Sequence, residues 1–259
     1  MMASKTLGRE ELKEHFKNGK IPTENHFGYL IDSTINRQED GFSKDEENGL
    51  QIKAMGTSSK LISFYSNTED TTPFFIMEKD ERERPAMRMQ TFTAETDEVK
   101  RDAQSFFMHT NGSMGLGTPC EENTKLQVNG FASMEGRIGN YMCGTVPANG
   151  RWHDILDGLN NCQAMEVMAR AGVKDTGRFA IMHAIAVSAF GNGHNSISRT
   201  GAHYGFFWNK LRLRWKGRTH NYRLQLRTNS NYGTGVEIYY KITRLWDDTA
   251  FLPADCFHK

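Results

Sequence analysis

The sequence lacks long apolar runs, and no stretch reaches the roughly 20 consecutive apolar residues that a transmembrane helix needs. Its first residues, MMASKTLGREELKEHF, have no apolar segment behind their basic residues, so we expect no signal peptide. These two absences predict a protein that is made in the cytoplasm and does not insert into a membrane.

Cysteine is scarce and scattered, which removes two common classes of site. No Cys-x-x-Cys pair occurs, so neither a zinc knuckle nor a redox dithiol is encoded. We expect free buried thiols at the four positions, which are Cys120, Cys143, Cys162 and Cys256.

Catalytic motifs are also missing. Neither His-Glu-x-x-His nor Gly-x-Ser-x-Gly occurs, and the glycine-rich residues 191–195 have no lysine for binding phosphate. His183 has apolar neighbours and is interpreted as a core histidine with a satisfied hydrogen bond, while no pattern supports Cys162 or Cys143 as a nucleophile. We therefore predict no enzyme activity, no metal and no cofactor.

Neither the net charge nor the apolar content of the chain is high. The net charge of +1 argues against nucleic acid or membrane binding by the whole chain, so any electrostatic site must be local. The hydrophobic fraction of 37% is low for a compact enzyme and ordinary for an elongated or oligomeric β protein, which buries surface between chains.

Residues 1–50 are predicted to be partly helical. Apolar residues at helical spacing favour one short helix and a second from about Glu24 to Ile35, with Thr23 as its N-cap. Two such helices cannot form a core, so we expect residues 1–50 to attach to another protein. Packing at the edge of the same chain is the alternative.

Residues 51–135 are polar and rich in charge, and they are predicted to form an extended β connector. The runs KDEENG (44–49) and EKDERER (78–84) are interpreted as solvated faces. Short strand-like runs at 50–52, 61–65 and 74–77 are too few to close a sandwich, so neighbouring chains are expected to complete them.

Residues 136–259 are predicted to form an antiparallel β-sandwich. Residues 178–190, RFAIMHAIAVSAF, read as a strand buried on both faces, although the alanines keep a helix as an alternative. Apolar and polar residues alternate in three runs, which are 211–216, 222–227 and 236–242. This pattern predicts an antiparallel meander with one solvent-exposed face, and Trp215 falls on its buried side. Further strands are expected near 152–156 and 165–169.

Several stretches resemble phage tail fibres and bacterial surface adhesins. In MGLGTPCEENTKLQVNG (114–130), a Gly-Leu-Gly-Thr-Pro segment precedes Lys-Leu-Gln-Val-Asn-Gly, as in a box common in those proteins, with Leu116 in place of valine or isoleucine. KNGKIPTENHFGYLIDSTINRQEDGF is similar to the start of fibre-like proteins of phage and contractile injection systems, and GTVPANGRWHDIL and AHYGFFWNKLRLRW are similar to their terminal β domain. The resemblance implies an architecture and a homotrimer.

Within residues 114–130, a single chain buries too little apolar surface to offset the entropy lost when the segment becomes ordered. Leu126 and Val128 would each contribute about 2 kcal/mol if enclosed, whereas each ordered residue loses roughly 1 to 2 kcal/mol of backbone entropy. We therefore predict that sister subunits enclose this segment and assign Leu116, Leu126 and Val128 to oligomerisation. An edge strand packed on the C-terminal domain is the alternative.

Basic and aromatic residues crowd the region between 204 and 227, and residues 210–227 contain no acid. Charged donors interleaved with rings suit anionic sugars. We predict a receptor or glycan site with these residues: Tyr204, Trp208, Arg212, Arg214, Arg223 and Arg227. A solvated basic face is the plainer alternative. Single-stranded nucleic acid would use the same residue types, but the neutral chain and the lack of an RNA-binding motif argue against it.

These features predict a mainly β protein with short N-terminal helices, an extended β connector and a C-terminal antiparallel β-sandwich. We expect a non-enzymatic, homotrimeric component of a phage tail or contractile injection particle. Residues 1–50 would bind a baseplate, cap or fibre protein, and the head would bind a cell-surface receptor or glycan. The alternatives are a baseplate or cap scaffold without a receptor and a free-standing carbohydrate-binding module.

Overall fold

The computed structural model describes residues 6–191 and 193–257, and the protein is mainly β, which confirms the predicted fold class. The first five residues of the expected attachment segment, residue 192 and the last two residues of the head lie outside the described residues. The chain divides into two compact units, Met1–Ala132 and Ser133–Lys259.

The N-terminal unit begins with two helices, α1 (Arg9–His15) and α2 (Glu24–Asp32). They pack through rings, with His15 stacked on His26 at 4.0 Å between centroids. Every residue of both helices is at least partly exposed, as expected for helices too short to form a core. The helix α2 ends at Asp32, before the predicted Ile35, because the Ser33 hydroxyl donates a hydrogen bond to the Tyr29 carbonyl and terminates the turn.

The rest of this unit consists of two sheets and one helix. A hairpin pairs β1 (Phe42–Asp45) with β2 (Gly49–Ile52). The larger sheet has the order β3-β4-β5-β6-β7-β8, antiparallel except between β7 and β8, which are parallel. Its elements are β3 (Lys60–Phe64), β4 (Phe75–Asp80), β5 (Ala86–Thr91), β6 (Ser105–His109), β7 (Met114–Leu116) and β8 (Leu126–Val128), with α3 (Glu98–Asp102) between β5 and β6.

The short strand β8 obtains its backbone partners from its own chain. Its residues pair with β7 in the register Met114↔Leu126 to Leu116↔Val128. Gly115 is required in β7, because a Cβ there would collide with the Thr118 carbonyl of the loop that leads to β8. The turn residues between β7 and β8 therefore bring β8 alongside β7 of the same chain.

The prediction that residues 78–84 form a solvated face is wrong for two acids. Glu78 and Asp80 are only 4% and 8% exposed, because they lie on the covered side of β4 and contact arginines there. The run 44–49 is largely exposed, as predicted.

The C-terminal unit contains a five-stranded and a three-stranded sheet that share one core. The larger sheet has the order β13-β12-β11-β16-β9 and the smaller one the order β10-β15-β14. Side chains of both sheets meet in the core, including Val167 and Ala184 from the first and Leu213 and Leu226 from the second. The elements are β9 (Met142–Pro147), β10 (His153–Leu159), β11 (Cys162–Gly172), β12 (Phe179–Ala189), β13 (Ser196–Tyr204), β14 (Leu211–Arg218), β15 (Asn221–Thr228), β16 (Glu237–Asp247) and α4 (Asp248–Phe251).

The predicted three-strand meander is only half right. The strands β14 and β15 form the expected antiparallel hairpin, and Trp215 packs against the core. The third strand, β16, instead crosses to the other sheet and pairs with β11 and β9. The crossing is anchored where the Tyr232 amide donates to the Ala148 carbonyl and the Ala148 amide to the Val236 carbonyl.

The prediction that residues 178–190 are buried on both faces is also wrong. In β12 the small side chains, such as Ala184 and Ala186, point into the core, and the larger Ile181, Ile185 and Val187 lie on the exposed face. Small inward side chains leave room for the bulky residues of the facing sheet. His183 shares the exposed face and bonds to Glu166, so it is not a core histidine.

Among the described residues, no helix combines the length and the apolar character needed to span a membrane. The four cysteines are free thiols, as predicted, but the prediction that all are buried is wrong, because only Cys120 is buried while Cys143 and Cys256 are exposed and Cys162 is half-buried.

Candidate binding groove and assembly faces

The outer face of the three-stranded sheet gathers most of the predicted basic residues. Alternation sends Leu213 and Leu226 into the core and leaves the arginines of β14 and β15 on the other side. Arg212 lies opposite Arg227, and Arg214 lies opposite Gln225, whose Oε1 accepts a hydrogen bond from Arg214 Nε at 2.8 Å. Three predicted residues therefore converge: Arg212, Arg214 and Arg227.

Trp152, just before β10, completes this site. The pairing of His153 with Leu226 places Trp152 beside the arginines of β15. The guanidinium carbons of Arg214 and Arg227 lie 4.2 and 4.5 Å from the centroid of the Trp152 ring. Such cation–π contacts hold both guanidiniums in place without neutralising their charge.

A fourth guanidinium comes from the other sheet. The edge strands β13 and β14 lie next to each other at one side of the sandwich, and Arg199 of β13 reaches into the same groove as Arg212. Burial, and then the nearby Arg212 charge, lower the pKa of Arg199. We call this site the arginine groove; it has a volume of about 430 Å³ and consists chiefly of Trp152, Arg199, Arg212, Arg214, Arg227 and Asn229.

The other predicted site residues lie apart from the arginine groove. Arg223 is paired with Asp154 at 3.0 Å, an acid that comes from β10 and that the local sequence does not reveal. Tyr204 contacts Phe179, with 6.4 Å between ring centroids, and Trp208 stacks on Phe206 at 4.6 Å. Neither ring is among the described residues that line the groove.

The three residues assigned to oligomerisation share the exposed face of the six-stranded sheet. The pairing register aligns one row of side chains across all six strands: Ile62, Met77, Met89, Phe106, Leu116 and Val128. A second row contains Met87, Met108, Met114 and Leu126. We call these two rows the apolar face. Leu126 is 60% exposed and Phe106 48%, so the apolar face is open to solvent.

The opposite side of that sheet holds a buried charge network. Arg88 Nε donates to Glu78 Oε1 at 2.7 Å, and Arg88 Nη1 donates to Asp102 at 3.1 Å. Arg82 bridges Asp80 and Asp102. Burial opposes the charge of Asp80, but the hydrogen bonds from Arg82 outweigh it and lower the pKa of Asp80. This sheet is therefore inverted, with charged groups covered and apolar groups exposed.

The five-stranded sheet of the C-terminal unit also has an exposed apolar surface, which we call the head face. It contains Met168, Ile181, Ile185, Val187 and Tyr239. A depression of about 440 Å³ lies between strands β9, β11, β12 and β16 on this face. Beside it, Glu166 accepts hydrogen bonds from Arg137 at 2.7 Å and contacts His183 at 2.9 Å.

Within the described part of the chain, no three His, Cys, Asp or Glu side chains are grouped to hold a metal. Burial, and then the charge of Asp248, raise the pKa of the Cys162 thiol, which lowers its thiolate fraction at neutral pH.

Comparisons with known proteins add no assignment. No family model, curated protein or solved structure matches the chain. The arginine groove, the apolar face and the head face are therefore argued from their geometry.

Proposed function

We propose that this chain is a self-associating structural component of a phage tail or contractile injection particle, a fibre-like homotrimer whose head binds a cell-surface receptor. The single observation that carries the proposal is the apolar face, an open surface of ten side chains backed by a buried charge network. The resemblance of residues 114–130 to tail fibres supports the choice of three subunits.

The area of the apolar face bears on association. Strands about 4.8 Å apart and residues about 3.4 Å long give each side chain on one face about 33 Å², so its ten side chains cover roughly 330 Å². Stable interfaces bury about 800 Å² per partner, whereas contiguous apolar patches of more than a few hundred Å² are rare on monomers. The apolar face is thus comparable with the largest patch of a typical monomer and can supply part of a specific interface.

A second copy of the chain is the occupant that best suits the apolar face. The register places Lys79 at the end of the second row, opposite Met87, and Lys79 is paired with Glu81, so identical faces can meet with little repulsion between like charges. The exposed methionines are flexible and adapt to a symmetric contact. A partner recognised by charge would find little to bind there.

The N-terminal helices support attachment to a baseplate, cap or fibre protein of the particle. Phe27 and Ile31 are 51% and 67% exposed on α2, so the helix pair presents apolar side chains outward. The arginine groove favours a receptor-binding head over a scaffold without a receptor.

Native mass spectrometry of the full chain tests the proposal. We expect the wild type to have the mass of three chains, and Phe106→Glu to shift it to one chain because the substitution places charges in the apolar face. Val99→Glu is the matched control, since Val99 is 78% exposed on α3, away from the apolar face.

A second pair of variants examines the head face in the same way. Ile181→Glu should weaken the assembly, while Val173→Glu, at a similarly exposed position beyond β11, should leave it intact. A wild type that stays monomeric at micromolar concentration would overturn the proposal, as would an unchanged trimer of Phe106→Glu.

A further inference from the structure

We propose that the arginine groove binds an acidic polysaccharide through its carboxylate or sulfate groups. The inference rests on the proposed receptor-binding role of the head and names the class of ligand that the head recognises. It starts from four guanidiniums, those of Arg199, Arg212, Arg214 and Arg227, gathered at one side of the sandwich.

Among the described residues, no carboxylate bonds directly to the guanidiniums of the groove, and Asp154 is linked to Arg214 only through Gln225. None of the described residues that line the groove carries a carboxylate. The adjacent Arg223 shows the contrast, because on the same sheet face it is neutralised by Asp154. Arginines gathered without acids repel one another and are stabilised by a bound anion.

The guanidiniums are also pre-positioned. Trp152 holds Arg214 and Arg227 through its ring, and Gln225 accepts from Arg214 Nε. Within the described part of the chain, Arg227 Nε is buried and has no hydrogen-bond partner. Donors that are already oriented lose little entropy when an oxyanion binds, and each guanidinium can make a two-point contact with a carboxylate.

The two sheets approach such an anion from two sides. Arg212 and Arg227 are directly opposite each other on β14 and β15, while Arg199 comes from β13 of the other sheet. A volume of about 430 Å³ lies within the range of small-ligand sites. The amide of Asn229 lies in the same groove and offers hydrogen bonds suited to sugar hydroxyls.

The observations favour a saccharide over single-stranded nucleic acid. Nucleic acid sites combine cations with aromatic rings that stack on bases, at about 1 to 3 kcal/mol per base. The aromatic ring lining the groove, Trp152, is engaged by two arginines. The net charge of +1 also provides little long-range attraction for a nucleic acid backbone.

The test measures binding of the full chain to four immobilised probes at low salt: a heparin oligosaccharide, an oligogalacturonate, a neutral dextran oligomer of matched length and oligo-dT. We expect binding to one or both acidic saccharides. Binding to oligogalacturonate would show that carboxylates suffice, and binding to heparin alone would show that sulfates are required. This binding should weaken as salt is raised. Dextran should not bind.

Two matched variants connect binding to the groove. Arg212→Gln should lower the affinity for the acidic saccharide at least 10-fold, because it removes a charged donor that makes no side-chain hydrogen bond within the described residues. Arg223→Gln removes the same charge two rows away on the same sheet face, from a residue already paired with Asp154, and should change the affinity less than twofold.

Four results would overturn the inference: absence of binding to both acidic saccharides, equal binding to dextran, preference for oligo-dT, or equal losses in the two variants. Native mass spectrometry tests the proposed assembly separately from ligand binding. A trimer that binds neither acidic saccharide contradicts the ligand alone, and a monomer that binds one contradicts the assembly alone.

Discussion

Tyr222 shows how one side chain holds the two sheets of the head together. It is fully buried on β15, and its hydroxyl donates a hydrogen bond to the Asn161 carbonyl at 2.6 Å. Its ring meets Trp215 edge to face, with 5.5 Å between centroids. Burial raises the pKa of Tyr222 to about 12. Burial raises the pKa of Tyr232 to about 12 as well.

Replacing Tyr222 with phenylalanine should lower the free energy of unfolding by about 0.5 to 1.5 kcal/mol, because the Asn161 carbonyl loses one donor and keeps the Phe190 amide. The dependence of the free energy of unfolding on alkaline pH should change too. In the unfolded chain tyrosine ionises near its ordinary pKa of 10, so the stabilisation from a raised pKa is complete below pH 10 and is lost as pH rises towards about 12. Each such tyrosine contributes a slope of about 1.4 kcal/mol per pH unit in that window.

Denaturant titrations between pH 8 and 11.5, followed by tryptophan fluorescence, would measure both effects. The four tryptophans all lie in the C-terminal unit, so the signal reports on the head. The variant should keep the slope due to Tyr232 and lose the slope due to Tyr222. An unchanged slope would contradict the assignment of the pKa to burial in the core.

The sequence alone predicted three of the six residues that chiefly form the arginine groove. Strand alternation in 211–227 places Arg212, Arg214 and Arg227 on one face, and the structure brings them together. Trp152 and Arg199 were missed because Trp152 immediately precedes β10 and Arg199 lies on β13, so their positions depend on how the strands are ordered in the two sheets. Asp154 was missed for the same reason.

At the scale of elements, the six-stranded sheet depends on its charge network. Glu78 on β4 accepts hydrogen bonds from Arg88 and Gln90 of β5, and Arg88 also reaches Asp102 of α3. The network therefore ties two strands to the helix that follows them. A buried ion pair adds little net stability, but removing one partner leaves an uncompensated charge.

A double-mutant cycle tests this network. Glu78→Met or Arg88→Met alone should cost about 1 to 3 kcal/mol, because Arg88 keeps Asp102 and Glu78 keeps Arg101 as an oppositely charged neighbour. The double variant should be destabilised by less than the sum of the two single ones, because both single variants remove the same ion pair. Hydrogen exchange of the amides in β4 and β5 is the measurement, since the tryptophans do not report on this unit.

Glu81→Gln is the control for the cycle, because Glu81 belongs to an exposed pair with Lys79. Exposed pairs contribute about 0 to 1 kcal/mol, so protection should hardly change. Additive effects of the two methionine substitutions would contradict a coupled pair.

Period-two patterns predicted which side chains share a face but not which face is covered. In β12 the isoleucines face outward because the alanines admit the opposing sheet. In β4, Glu78 and Asp80 face inward because they pair with arginines. Arg88 of β5 contacts Glu78, and Arg82 of the loop between β4 and β5 contacts Asp80. Alternation is the same in either orientation, so the choice depends on partners distant in sequence. The crossing of β16 to the other sheet is hidden from local patterns for the same reason.

At the scale of the whole molecule, association and binding should reinforce each other. A trimer would carry three arginine grooves, and once one groove is engaged, the others meet a dense polysaccharide at high effective concentration. Individual grooves can therefore be weak while the assembly remains attached. On the proposed function, the apolar face would therefore contribute to adhesion, although the two surfaces belong to different units.

The consequence is measurable as a difference between surface and solution binding. On a dense layer of the acidic saccharide that binds, Phe106→Glu should dissociate about 100-fold faster than the wild type, because a monomer lacks the second and third contacts. In solution, the affinity of each groove for a short oligosaccharide should be unchanged, since Phe106 lies in the other unit. A sparse layer provides the control, on which both proteins should dissociate at similar rates. Equal dissociation rates on the dense layer would mean that each groove acts alone, and the assembly would then contribute nothing to adhesion.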